Sequence, residues 1–202
     1  MTAPSPRRRP QRQGIADGRS SGTALLILDM ISCWKFPDGD ALMRRALRVS
    51  PAVAALRQRC SSRAVPVIYA NDNSGQWRSD FNFVVREAME SPGGGGKIVQ
   101  MLEPGDQDYF VLKPKHSAFF ATPLELLLDH LRVRRLIVVG TATDQCVAAT
   151  VADARMRDFD VVVPEDCVAT LTAARNRRAL IHFREVHQIS TTPGHRVRLD
   201  LD

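Results

Sequence analysis

Short apolar runs alternate with helix-patterned stretches along most of this chain, and that alternation limits the folds open to it more than any other feature. Thr23 to Leu28, Val65 to Ala70, Asp108 to Leu112, residues 135–139 and Asp160 to Val163 each read as a buried strand. Ala41 to Cys60 has helical spacing that puts Leu42, Ala46, Val49, Val53 and Leu56 on one face. Phe81 to Met89 reads as a short helix. Thr122, Pro123 and Glu125 stand in the order of an N-cap, a first helical residue and a capping box, so a helix is predicted from there to about Leu131. Helices over 144–158 and 171–185 follow, and His187 to Ser190 reads as a short strand. Ser91 to Gly96 holds four consecutive glycines, but it lacks the spaced glycines and Lys-Ser/Thr of a phosphate loop and reads as a linker. Such alternation predicts an α/β fold: a doubly wound, mainly parallel sheet with helices on both faces.

At 202 residues the chain is long enough for one domain with a full core, assigned to 23–202. Residues 1–22 have no periodicity and are rich in Pro, Arg, Ser and Gly, so a disordered basic tail is expected there. Arg7, Arg8, Arg9, Arg12 and Arg19 against Asp17 give that tail +4 of the formal net charge of +6. The body is therefore near neutral. The tail has no aromatic residue to stack on bases, so no specific nucleic-acid partner is expected. The apolar runs are far too short to span a membrane, and no apolar stretch follows the early arginines as a secretory signal requires. Four cysteines, at 33, 60, 146 and 167, lack C-x-x-C spacing. That argues against a zinc ribbon or a disulfide framework and points to reduced thiols in a cytoplasm.

Three residues of complementary chemistry share one position relative to their strands. Asp29 follows the first run, Lys113 the third, and Cys146 lies shortly past the fourth, Leu136 to Val139. In a parallel sheet the carboxyl ends of the strands lie on one edge, where open α/β sheets build their sites. Gly140 reads as the break after the strand, and Thr143 or Asp144 as the cap of a helix whose first turn holds Cys146. Unpaired N–H groups and the positive end of the helix dipole meet there, and both favour a thiolate. A carboxylate can take a thiol proton, and an ammonium can hold that carboxylate and steady the thiolate. The thiolate can then attack a carbonyl, with the oxyanion facing the N–H groups at the helix start. Taken singly, Asp29 reads equally as a loop cap and Cys146 as a small buried hydrophobe. Together the three favour a site.

The segments Leu26-Ile-Leu-Asp29-Met, Leu112-Lys113-Pro-Lys-His-Ser-Ala-Phe119-Phe and Gly140-Thr-Ala-Thr-Asp-Gln-Cys146-Val fall in order within about residues 23–170. This pattern resembles the isochorismatase-like cysteine hydrolase family, which includes nicotinamidases and N-carbamoylsarcosine amidohydrolases. The resemblance implies Asp29 as base, Lys113 as its partner and Cys146 as nucleophile. It also implies a cis peptide between Thr141 and Ala142, and an oxyanion hole built from the backbone amides of Ala142 and Cys146. Of the two nearby lysines, Lys113 follows its strand directly and matches the family lysine, whereas Lys115 reads as a solvated loop charge. A cysteine at the nucleophile position favours hydrolysis of an amide, ureide or imide-like C–N bond. An isochorismatase-type vinyl-ether hydrolase and a non-catalytic binding module are the alternatives. Nicotinamidases carry an Asp and several His as a metal site after the second strand. Here Asp72 is present but residues 70–95 hold no histidine, so no metal and no cofactor are expected. The implied partners are a small-molecule substrate and further copies of the chain in a dimer or tetramer.

Loops 33–40, 71–80 and 114–121 would build the substrate pocket. Phe36, Trp77, Phe119 and Phe120 lie in them and read equally as pocket lining or as lid and interface residues. Cys33 and Cys167 read as packing residues. His116 reads as a substrate contact or as a solvated loop histidine.

Overall fold

The computed structural model describes residues 22–73, 78, 80–91 and 93–200. The expected tail up to residue 21 and the pocket candidate Trp77 lie outside the described residues. Six parallel strands form one sheet: β1 (Thr23–Leu28), β2 (Val67–Asp72), β3 (Tyr109–Lys113), β4 (Arg135–Thr141), β5 (Asp160–Val162) and β6 (Val168–Ala169). The order is β3-β2-β1-β4-β5, with the two-residue β6 paired to the end of β4. The helices are α1 (Gly39–Ser61), α2 (Phe81–Met89), α3 (Gly95–Met101), α4 (Leu124–His130), α5 (Ala148–Met156) and α6 (Ala173–Glu185). Among the described residues, none is long and apolar enough to cross a membrane.

β1 explains why its sequence shows no polar alternation. Leu25 and Ile27 enter a core shared with α1, α2 and α3, while Ala24, Leu26 and Leu28 enter a second core shared with α4, α5 and α6. Both faces are covered, so both side-chain sets must be apolar. From β1 the chain steps outward through β2 and β3, then returns to β4 on the other side of β1. Crossovers keep one hand, so reversing the direction of winding also moves the helices to the opposite face. The reversal falls between β1 and β4, and a crevice opens at such a point beyond the carboxyl ends of the strands.

The structure corrects three local expectations. β4 does not stop at Gly140, which still pairs with Leu28 of β1, but continues to Thr141, which pairs with Ala169 of β6. Gly140 has φ 110°, and a Cβ there would sit 2.1 Å from the Leu28 carbonyl oxygen, so glycine is what lets the strand run on. The glycine run is not only a linker, because Gly95–Met101 is helical with Ile98 and Val99 buried against α1. Packing overrides poor propensity here: a Cβ on Gly94 would meet Met43 Sδ at 2.3 Å. Finally, His187 to Ser190 forms no strand; Ser190 makes one isolated bridge to Val162.

Candidate active site

Register brings the site residues together. Leu28 pairs with Ala70 on one side and with Gly140 on the other, so Asp29 emerges between the ends of β2 and β4. Its amide donates to the Ala70 carbonyl at 3.1 Å, and its carbonyl accepts from Thr141 Oγ1 at 3.1 Å. Both bonds fix Asp29 at φ 49°, a left-handed conformation that costs a non-glycine residue on the order of 1 kcal/mol or more. Lys113 closes β3 opposite Asp72. β2 separates β3 from β1, a gap of about 10 Å at ordinary strand spacing. The long Lys113 side chain crosses it and places Nζ 2.8 Å from Asp29 Oδ2.

The same ammonium lies 3.5 Å from Cys146 Sγ and 3.3 Å from the Lys115 carbonyl. Asp29 Oδ1 accepts the Asp72 amide at 2.8 Å. Asp29, Lys113 and Cys146 thus share one cluster, while Lys115 contributes only its carbonyl. Lys113 is 1% exposed. Burial alone would lower its pKa, but Asp29, with help from Cys146 and Asp72, holds it above the ordinary lysine value. Burial and then the Asp29 charge push the Cys146 thiol up to about 12, against the pull of Lys113. Burial and the Asp29 charge thus disfavour the thiolate that the helix start favours, and Lys113 opposes them. Burial, and Asp29 nearby, also raise Asp72, with Lys113 opposing.

Cys146 sits in a π-helical turn, Thr143–Val147, that leads into α5. Neither Thr143 nor Asp144 caps it. The Thr143 hydroxyl bonds Asn176 Oδ1 at 2.6 Å, and the Asp144 carboxylate accepts from Thr170 Oγ1 and Arg175 Nε at 2.5 Å each. Burial disfavours the Asp144 charge, but those bonds outweigh it and hold its pKa below the usual carboxylate value. The two side chains anchor the turn to the start of α6. The Thr141–Ala142 peptide is cis, and the Ala142 carbonyl accepts from Gln145 N and Val147 N.

A cavity of about 660 Å³ opens in front of Cys146. Phe36 lines it, as do Cys33, Asn71, Asp72 and Thr141. Phe119 and Phe120 do not. Phe119 is buried against Phe159, ring centroids 5.9 Å apart, with the Arg157 guanidinium 4.9 Å above its ring. Ala118 N donates to Thr150 Oγ1 at 3.0 Å and Ser117 Oγ donates to Asp153, which binds this loop to α5 and turns Phe119 into the core. Phe120 is exposed away from the cavity. Sequence reasoning placed Trp34 and Asn71 within the pocket-building loops without singling them out, and missed Gln145 and the α2 residues Phe83, Val84 and Glu87. The helical pattern of α2 was readable, but nothing in it says which flank meets the end of β1. Asn71 Nδ2 donates to the Ile31 carbonyl at 2.7 Å, which ties the loop after β1 to the end of β2. His116, exposed at the cavity, puts Nδ1 3.6 Å from Cys146 Sγ. Among the described residues, no group of three or more His, Cys, Asp or Glu side chains is arranged to hold a metal ion.

Residues 23–193 match the isochorismatase domain family. The isochorismatase family protein YaaI of Bacillus subtilis (strain 168) is 36% identical over 163 residues, which are 81% of this chain and 89% of that one. The N-carbamoylsarcosine amidase of an Arthrobacter species is 24% identical over 160 residues, 75% of this chain and 61% of that one. The crystal structure of an isochorismatase family protein from Desulfovibrio vulgaris superposes with a TM-score of 0.70 at 26% identity, covering 86% of this chain and 95% of that one. The sheet order, the crevice at its switch point and these matches agree: the chain belongs to the isochorismatase family and has the isochorismatase-like hydrolase fold.

Proposed function

We propose that this protein is a cysteine amidohydrolase that cleaves a C–N bond of a small amide, ureide or imide through an acyl-enzyme on Cys146. One observation carries the reading: a single buried ammonium, Lys113 Nζ, lies within 2.8 Å of a carboxylate and 3.5 Å of a thiol beside a small-molecule-sized cavity. The proton that burial holds on Cys146 passes to Asp29 as sulfur attacks the carbonyl carbon. The oxyanion forms against the backbone amides of Ala142 and Cys146. When the C–N bond breaks, Asp29 gives the proton to the departing nitrogen. Lys113 stays charged throughout and holds Asp29 aimed at the sulfur. The relative named as an N-carbamoylsarcosine amidase supports this bond class, although this chain spans only 61% of its length. A cytoplasmic location and a homo-oligomeric assembly complete the proposal.

The test is a mass-spectrometric screen of the protein against a panel of small amides, ureides and imides. The expected result is an acyl adduct on Cys146 together with released ammonia or amine, both lost in Cys146→Ala and Cys146→Ser. Full turnover in either variant would overturn the reading.

A further inference from the structure

We propose that His116 is a second acid–base catalyst of this site, serving hydrolysis of the acyl-enzyme while Asp29 serves its formation; the proposal rests on the acyl-enzyme reading above. His116 belongs to none of the roles described so far, yet its Nδ1 is 3.6 Å from the nucleophilic sulfur. It approaches from the cavity side and is exposed, so water can reach it. Asp29 is placed differently. Both its oxygens are engaged, one by the Lys113 ammonium and one by the Asp72 amide, each at 2.8 Å. Its side chain is 17% exposed and sits at the end of the sheet. That position suits a base taking a proton from the adjacent thiol. It offers less room for a water molecule that must attack an acyl group already attached to sulfur.

Charged groups of both signs surround His116 at the cavity. Asp72, at the end of β2, interacts with it electrostatically. Asp29 and the Glu87 carboxylate of α2 line the same cavity, and Lys113 and Lys115 on its own segment oppose them. In the proposed step the neutral imidazole takes a proton from water as the water oxygen bonds to the thioester carbon. The C–S bond then breaks with its electron pair on sulfur, and the imidazolium returns the proton to Sγ. Thioester and water become carboxylic acid and thiol, with no other reactant.

The test uses the full chain with p-nitrophenyl acetate as acyl donor, comparing wild type, His116→Ala and Cys146→Ala. Wild-type p-nitrophenolate release is expected to require Cys146. In His116→Ala the first-turnover release should stay within about threefold while steady-state release falls about 100-fold, the usual worth of an acid–base group. Acetyl-Cys146 should accumulate in quenched samples. The pH profile of deacylation should differ between wild type and variant, and added imidazole should restore turnover, which a purely structural residue would not allow. Unchanged steady-state release in His116→Ala, or acylation and deacylation falling together, would overturn the role of His116 alone. Release that does not depend on Cys146 would overturn the acyl-enzyme reading and this proposal with it.

Discussion

Replacing Asp29 with asparagine should make Cys146 more acidic while making the protein a worse catalyst. In the wild type, burial and the Asp29 charge hold the thiol up to about 12, and only Lys113 opposes them. The asparagine side chain keeps an oxygen for the Asp72 amide but removes the negative charge. The Lys113 ammonium, 3.5 Å from Sγ, then acts on the sulfur without a counter-charge. At an effective dielectric of about 20 that attraction, already present in the wild type, is about 5 kcal/mol, or about 3.5 pKa units, and it sets the scale of the fall once the Asp29 charge no longer opposes it. Lys113 also loses its main electrostatic support, and water entering the gap weakens the field, so a fall of about one to three units is expected. The assay is the pH dependence of Cys146 alkylation by iodoacetamide, followed by mass spectrometry, together with the ultraviolet absorbance of the thiolate. The midpoint should drop in Asp29→Asn, and the drop should vanish when Lys113→Met is added to it. Turnover should fall at least about 100-fold, because the proton acceptor is gone. A midpoint that stays or rises in Asp29→Asn would refute the idea that Asp29 keeps the proton on sulfur.

Alkaline solution should destabilise the protein early. The buried Cys60 and Cys146 thiols are both pushed up to about 12 by burial first, and Cys167 is raised as well. The unfolded chain releases these protons from about pH 9 while the folded chain keeps them, so stability falls as pH rises through about 9 to 12. Each thiol contributes up to about 1.4 kcal/mol per pH unit in that window; a melting temperature that stays flat from about pH 8 to 11 would contradict this. Gly140→Ala should cost several kcal/mol, because the new Cβ meets the Leu28 carbonyl oxygen at 2.1 Å and φ is 110°; a melting temperature equal to wild type would show that β4 can shift freely. Ser117→Ala removes the bond from the Lys113–Phe119 segment to Asp153 and should cost about 1–2 kcal/mol while lowering kcat. Unchanged kcat with a lowered melting temperature would mean that this bond does not position Lys113. Phe119→Ala should lose about 3–5 kcal/mol of stability and leave KM unaltered, since the ring lies in the core rather than in the cavity.

Much of this protein can be read from local sequence because strands and helices announce themselves by period. The alternation of Thr23–Leu28 and its later counterparts with helical spacing determined a parallel α/β sheet, and Asp29, Lys113 and Cys146 declared themselves by following apolar strands. What local pattern does not contain is the direction of side chains across strands and between loops. Phe119 and Phe120 are adjacent and alike in sequence, yet two bonds from α5 send one into the core and leave the other in solvent. A thiol at a helix start promises a thiolate, but burial and the Asp29 charge push its pKa up, and both depend on register between strands far apart in sequence. His116 looked like any loop histidine until the turn after β3 brought it 3.6 Å from the sulfur. Sequence alone determined which chemical groups reach the edge of the sheet. Tertiary structure decided their distances, their exposure to water and therefore their charge, because electrostatic energies depend on separation and solvation, and neither is encoded by spacing along the chain.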